Sequence, residues 1–262
     1  MANNSGREKE WYNDESFWRD MYPFMFTEQR FFEAEQQVEK VLNLTRPAGR
    51  RVLDLCCGPG RFAVPLALHD YQVTGVDVTG YLLEKAAAYA EEKEAEVEWI
   101  QSDMRDFARP GQYDLILNLF TSFGYFDDKE EDVEVLDKIY LNLRPGGACL
   151  IDVLGKECLA RIFLPALTEV LPDGSRVVQV NQVFDDWTRV RAEWVLIRDG
   201  KAKSYRFHFT IYSGLELRER MEGAGFVDVR LYGGLDGDEY DTRAQRLIAV
   251  GRKPEARPAQ HG

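Results

Sequence analysis

Histidine and cysteine are scarce in this chain, and neither is spaced to hold a metal. The three histidines, His69, His208 and His261, stand far apart, and the four cysteines, Cys56, Cys57, Cys149 and Cys158, do not fall at metal-ligand spacing from them. No metal is expected from such spacing. Two adjacent cysteines and two on or near an apolar strand do not make a disulfide framework, so a reducing cytoplasm is the expected compartment. No apolar run approaches the roughly 20 residues of a membrane span, and the N-terminus has no apolar signal-peptide core. Lysine and arginine form no cluster, and the net charge is -12. That balance argues against nucleic acid as a partner.

What is present suits one large domain, or one domain with an insertion. The chain is organised around Arg51-Val52-Leu53-Asp54-Leu55-Cys56-Cys57-Gly58-Pro59-Gly60-Arg61-Phe62. An apolar run ends in Asp54, a tight turn with two glycines follows, and a helix can start behind it. A parallel strand of an α/β sheet delivers the chain to a ligand in this way. Gly58 and Gly60 lack a Cβ and let the backbone approach a ligand. Pro59 stiffens the turn, and Asp54 can face a ligand cation or order the loop amides. Tyr71-Gln72-Val73-Thr74-Gly75-Val76-Asp77 reads as the next strand and again ends in an acid. An acid there accepts hydrogen bonds from ribose hydroxyls.

Asp54-Leu55-Cys56-Cys57-Gly58-Pro59-Gly60, followed by Gly75-Val76-Asp77, resembles the first two motifs of the class I S-adenosylmethionine-dependent methyltransferases. It departs at Cys56, where that family most often has its first glycine, although a small residue still fits. Ser102-Asp103-Met104 stands at the position that meets the adenine. The run from Asn118-Leu119-Phe120 to Tyr125-Phe126 stands at the fourth motif, which borders cofactor and acceptor. The resemblance covers about Tyr22 to Lys253. It implies S-adenosylmethionine as cofactor, S-adenosylhomocysteine as product, and in-line methyl transfer to nitrogen, oxygen or carbon of a small-molecule acceptor. The cofactor contacts it implies are Asp54, Cys56, Gly58, Gly60, Asp77, Val78, Ser102, Asp103, Met104, Asn118 and Leu119. Tyr22 and Arg30 are the candidates for closing an N-terminal lid over the methionine carboxylate.

Tyr22, Tyr125 and His208 are candidates for a general base, and none stands in a motif. The 118–126 segment lacks the Asn/Asp-Pro-Pro-Tyr pattern of enzymes that methylate base amines. Asp127 and Asp128 could hold magnesium, but they read first as the acidic start of a helix. Two other readings stay open. Gly58-Pro59-Gly60-Arg61-Phe62-Ala63 passes for a dinucleotide fingerprint of an NAD(P)-dependent oxidoreductase with alanine last, and the protein could bind S-adenosylmethionine without catalysis.

Along the chain, an aromatic-rich segment from Trp11 to Phe32 precedes an amphipathic helix over 31–44. Strands at 51–55, 71–77, 95–103, 113–120 and 148–154 alternate with helices, which predicts a parallel sheet with right-handed crossovers. Arg105 and Asp106 read as loop charges. Three β-rich stretches, Val177 to Asp185, Arg189 to Arg198 and Tyr205 to Tyr212, then break the pattern as an antiparallel insertion, in which a face with Arg189, Arg191, Arg206 and His208 could meet the acceptor. A homodimer through this insertion is the competing use. Ser213-Gly214-Leu215-Glu216 opens a helix with a capping box. Strands at 227–232 and 246–252 should close the sheet as a hairpin. The expected architecture is therefore a Rossmann-like, seven-stranded, mostly parallel sheet with a C-terminal antiparallel hairpin and a β insertion after the fifth strand. The expected domains are an N-terminal helical lid (1–46), the cofactor-binding domain (47–168 and 213–253), the insertion (169–212) and a disordered tail (254–262).

Overall fold

The structure, a computed structural model, describes residues 10–256. The first nine residues of the expected N-terminal lid, the tail beyond 256 and His261 lie outside the described residues. Pro254 to Ala256 are placed, with the Glu255 carboxylate lying over Gly146.

A 3-10 turn, Trp11–Asn13, leads into α1 (Glu15–Met25) and α2 (Glu28–Thr45). Asp14 caps α1 by accepting the Ser16 N–H, and the Thr27 hydroxyl does the same for Arg30 at the start of α2. The βα units follow as β1 (Arg51–Leu55), α3 (Ala63–Leu68), β2 (Gln72–Asp77), α4 (Gly80–Glu92), β3 (Val97–Gln101), β4 (Tyr113–Asn118), α5 (Lys129–Asn142) and β5 (Leu143–Val153). After a short α6 (Lys156–Ile162) come β6 (Ala166–Val170), β7 (Arg176–Phe184), β8 (Arg189–Arg198) and β9 (Lys201–Thr210). The chain then returns through α7 (Gly214–Gly223), β10 (Val227–Tyr232) and β11 (Leu247–Arg252).

The main sheet has the order β10-β11-β5-β4-β1-β2-β3, parallel from β5 to β3 and antiparallel at β11 and β10. The expected seven-stranded fold with its closing hairpin is borne out. Successive residues of a strand point to opposite faces, and both faces are covered. Ile116, Cys149 and Ile151 enter the core shared with α1, α5 and α7, whereas Leu115, Leu117 and Leu150 enter the core under α2 and α3. That is why the central strands read as unbroken apolar runs. The capping box at Ser213 and Glu216 is present. No helix of the described residues is long and apolar enough to cross a membrane.

The insertion departs from its reading in two ways. It has four strands, in the order β6-β7-β8-β9. The additional β6 is short and almost wholly exposed, so it carries little alternation to read, and its backbone pairing with β7 is what defines it. The face with Arg191, Arg206 and His208, read as one that could meet the acceptor, is also turned away from the body of the domain. Ala192, Leu196, Tyr205 and Phe207 are buried against the body, while Arg191 and Arg206 point away. The sheet grips α1: the Tyr205 hydroxyl donates to the Ser16 carbonyl at 2.9 Å, and Lys203 pairs with Asp20 at 2.9 Å. A further difference lies at Arg144-Pro145-Gly146-Gly147, expected as a turn. It is the irregular start of β5, where the register against β4 slips between Tyr113 and Leu115.

Candidate active site

The site is built where β1 stops. Cys56 takes φ +64°, a left-handed backbone that costs a residue with a Cβ roughly 1–2 kcal/mol. Its sulfur lies 3.4 Å from that of Met104. Gly58 is also left-handed, at φ +54°, and a Cβ there would meet only the Phe26 ring at 3.8 Å. Its bare face therefore opens onto a cavity. Gly60 does not share that role, since its Cβ would strike the Trp99 ring at 2.9 Å. Glycine at 60 lets the loop pack on the sheet.

The Asp77 carboxylate holds this loop against the strand ends. One Asp77 oxygen accepts the Gly58 N–H at 2.8 Å and the other accepts the Thr79 N–H at 2.9 Å. Burial pushes the Asp77 pKa up, and those amides pull it back. Asp54 is 3% exposed, and burial, reinforced by Asp77, pushes its carboxyl up to about 7. At the end of β3, Asp103 accepts from the Arg105 side chain at both oxygens. Arg105, read as a loop charge, has a side chain with no exposed surface.

One cavity at the carboxyl ends of β1, β2 and β4 gathers most of the predicted residues. Asp54, Cys56, Gly58, Asp77, Val78 and Leu119 line it, and Ser102, Asp103 and Met104 form the wall beyond β3. Tyr125 lines it too. Burial pushes its pKa up, which favours the protonated phenol. Phe120 and Phe126, in the segment read as bordering cofactor and acceptor, line it as well, whereas sequence reading missed the opposite wall, Tyr12, Trp18, Met25 and Phe26, together with Arg61. The aromatic richness of 11–32 was the signal for that wall, but nothing local says which rings face inward.

Four predicted contacts do not line the cavity. Tyr22 turns aside between Phe26 and Tyr81, with ring centroids 5.1 and 5.9 Å away. Arg30 is exposed and donates to the Met25 carbonyl at 2.7 Å, where it caps the end of α1. Gly60 faces the sheet, and Asn118 lies beneath the floor, donating to the Leu55 carbonyl at 3.3 Å with its side-chain oxygen buried and unpartnered. His208 is also elsewhere, on the outward face of β9 and paired with Asp127. Asp128 caps α5 by accepting the Glu130 N–H at 3.0 Å. None of the insertion's residues lines the cavity. The sheet stands behind it: Phe207 stacks on Trp11 at 4.5 Å, and Trp11 meets Tyr125 at 4.7 Å.

A hairpin-closed parallel sheet with an acid-and-glycine loop at its carboxyl edge is the Rossmann-like fold of methyltransferases. The donor set fits S-adenosylmethionine: carboxylates for hydroxyls and positive charge, a bare glycine face, and aromatic and sulfur surfaces for a flat ring. Residues 52–147 match the family described as methyltransferase domain. A putative methyltransferase of Geobacillus is 30% identical over 49% of this chain, which spans about half (52%) of that relative's length. The putative methyltransferase YqeM of Bacillus subtilis is 29% identical over 83% of this chain and 90% of its own. Among solved structures, an S-adenosylmethionine-dependent methyltransferase of Clostridium acetobutylicum superposes with a TM-score of 0.73 at 14% identity, covering 93% of this chain and 99% of that one. The sugar N-methyltransferase KedS8 of Streptoalloteichus gives 0.65 at 22% identity, covering 92% of each. S-adenosylmethionine-bound CalS10 of Micromonospora echinaspora, an amino pentose methyltransferase, gives 0.64 at 19%, covering 91% and 95%. The matched domain and the fold are those of the class I S-adenosylmethionine-dependent methyltransferases, enzymes whose cofactor is S-adenosylmethionine.

Proposed function

We propose that the protein methylates a small-molecule amine and releases S-adenosylhomocysteine. The observation that carries this reading is one cavity walled by Asp54, Asp77 and Asp103 on one side and by the N-terminal aromatic segment on the other. When bound, S-adenosylmethionine supplies a methyl group already activated by the positive charge on its sulfur. The Asp77 carboxylate, fixed by two amides, would accept from the ribose hydroxyls, and Ser102 to Met104 would flank the adenine. Asp54 and Cys56 sit beside them under the glycine turn. Trp18, Tyr12 and Phe126 keep water out, and the protonated Tyr125 orients the acceptor. Proximity and orientation of this kind are worth roughly 7–11 kcal/mol of barrier.

The acceptor class follows from the walls. Arg61 is the sole cationic side chain lining the cavity among the described residues, and it lies on the Phe120 ring at 4.2 Å. Such a cavity suits a neutral acceptor and disfavours a phosphate or carboxylate. A neutral amine attacks through its own lone pair; as the N–C bond forms the methyl–sulfur bond breaks to leave the thioether, and the ammonium formed can release its proton to solvent. The names of KedS8 and CalS10 agree with an amine. Turnover to S-adenosylhomocysteine with a panel of aryl and alkyl amines tests the reading, with phenols and carboxylates as comparators. Methylation confined to carboxylates would overturn the acceptor class, and binding of NADH without either adenosyl ligand would overturn the methyltransferase.

We further propose a cytoplasmic homodimer. The outward face of the insertion, with Val180 and Ile197 exposed beside Val178 and Val195, would be the contact.

A further inference from the structure

Arg105 meets groups from three parts of the chain. Its Nε donates to Asp103 Oδ1 at 3.0 Å and its Nη2 to Asp103 Oδ2 at 2.5 Å. The same Nη2 donates to the Tyr12 hydroxyl at 3.0 Å and to Glu10 Oε2 at 2.9 Å. Nη1 reaches Glu10 Oε1 at 3.3 Å and Glu131 Oε1, on α5, at 2.5 Å. The guanidinium lies over the Phe126 ring at 4.2 Å, and the Tyr12 hydroxyl in turn donates to Glu10. Tyr12, Asp103 and Phe126 all line the cavity, and Tyr12 and Asp103 stand on different walls of it. One nitrogen therefore holds both sides. Three carboxylates converge on a single cation, so without it they would repel the N-terminal strap from the body.

We propose that Arg105 is a positioning residue, a clasp that fixes Glu10 to Asn13 over the cavity and sets Asp103 for the ligand, so that strap closure and cofactor binding are coupled. The coupling rests on the methyltransferase reading, and the clasp itself does not. Only a planar fork can serve these partners together. Lysine keeps the charge but concentrates its donors on one atom.

The test compares wild type with Arg105→Lys, Glu10→Gln and Glu131→Gln, using amide hydrogen exchange over residues 11–25, calorimetric titration with S-adenosylhomocysteine, and a melting curve. Arg105→Lys should fold, exchange faster over the strap, and bind S-adenosylhomocysteine about 10-fold or more weakly, the size of one lost charge-assisted hydrogen bond. Ligand should protect the strap in wild type and fail to do so in this variant, a difference that a merely structural role would not produce. Glu131→Gln cuts an arm that touches no cavity residue and should bind within about twofold of wild type. A folded Arg105→Lys with unchanged strap exchange and unchanged affinity overturns the proposal. If Arg105→Lys does not fold, Glu10→Gln decides, since it loosens only the strap and must speed exchange there. Should wild type bind no S-adenosylhomocysteine, the methyltransferase reading falls, while the exchange rates still decide the clasp.

Discussion

Asp77 and Asp54 occupy equivalent strand ends and are held differently, which gives separate predictions. Asp77 keeps both oxygens on backbone amides and a lone pair on each to spare. Asp77→Asn retains one acceptor of the two, so S-adenosylhomocysteine affinity should fall by about 10–100-fold, on the scale of 1.5–3 kcal/mol for a hydrogen bond to a charged group. Calorimetry measures this directly. Asp54 has its pKa raised from 3.8 to about 7, so the folded state holds the proton more tightly than the unfolded chain does. The stability it contributes is complete below about pH 4 and is lost as pH rises through 7. Ligand-free Asp54→Asn should therefore gain on wild type between pH 4 and 7, by up to a few kcal/mol, and the gap should level off above that range. Melting temperatures of the two proteins across that range check the sign. A gap that shrinks with rising pH would contradict it.

At the scale of elements, the insertion matters through the face that packs on the strap. Phe207 is 8% exposed and touches Trp11, Phe17 and Trp194. Phe207→Ala should cost about 3–5 kcal/mol as a buried aromatic truncation and should loosen the strap as well. Arg206→Ala, on the outward face with its side chain 76% exposed, should stay within about 0.5 kcal/mol and leave ligand affinity unchanged. Denaturant titration separates the two, and equal effects would mean that the faces are assigned wrongly. The alternation of β8 and β9 was legible in the sequence, because a strand has a period of 2. That the arginine face would lie away from the cavity was not, because it depends on the body against which the sheet lies. The glycine loop shows the same limit. Its existence was plain from residues 54–60, whereas the packing of Gly60 on Trp99 requires β3 to be in place beside it.

For the whole molecule, S-adenosylhomocysteine at about 100 times its dissociation constant should stabilise the protein by roughly 2.7 kcal/mol, visible as a rise in melting temperature. NADH at the same concentration should give none. Sizing chromatography should show a dimer, and Val180→Lys with Ile197→Lys should convert it to a monomer that still binds S-adenosylhomocysteine. A monomeric wild type would discard the interface. The sequence by itself determined the sheet, its hairpin, and the acids and glycines at the strand ends, because these depend on local periodicity and on turns that few residues can make. Tertiary structure alone decided the roof of the cavity. Tyr22 and Arg30 were read as the lid, yet Tyr12, Trp18, Met25 and Phe26 line the site, and Arg105 ties Tyr12 and Glu10 to Asp103 across more than ninety residues of chain. A helix fixes only which residues share a face. Which face meets the ligand is set by the packing of α1 between α4 and the insertion, a long-range choice that no short window of sequence encodes.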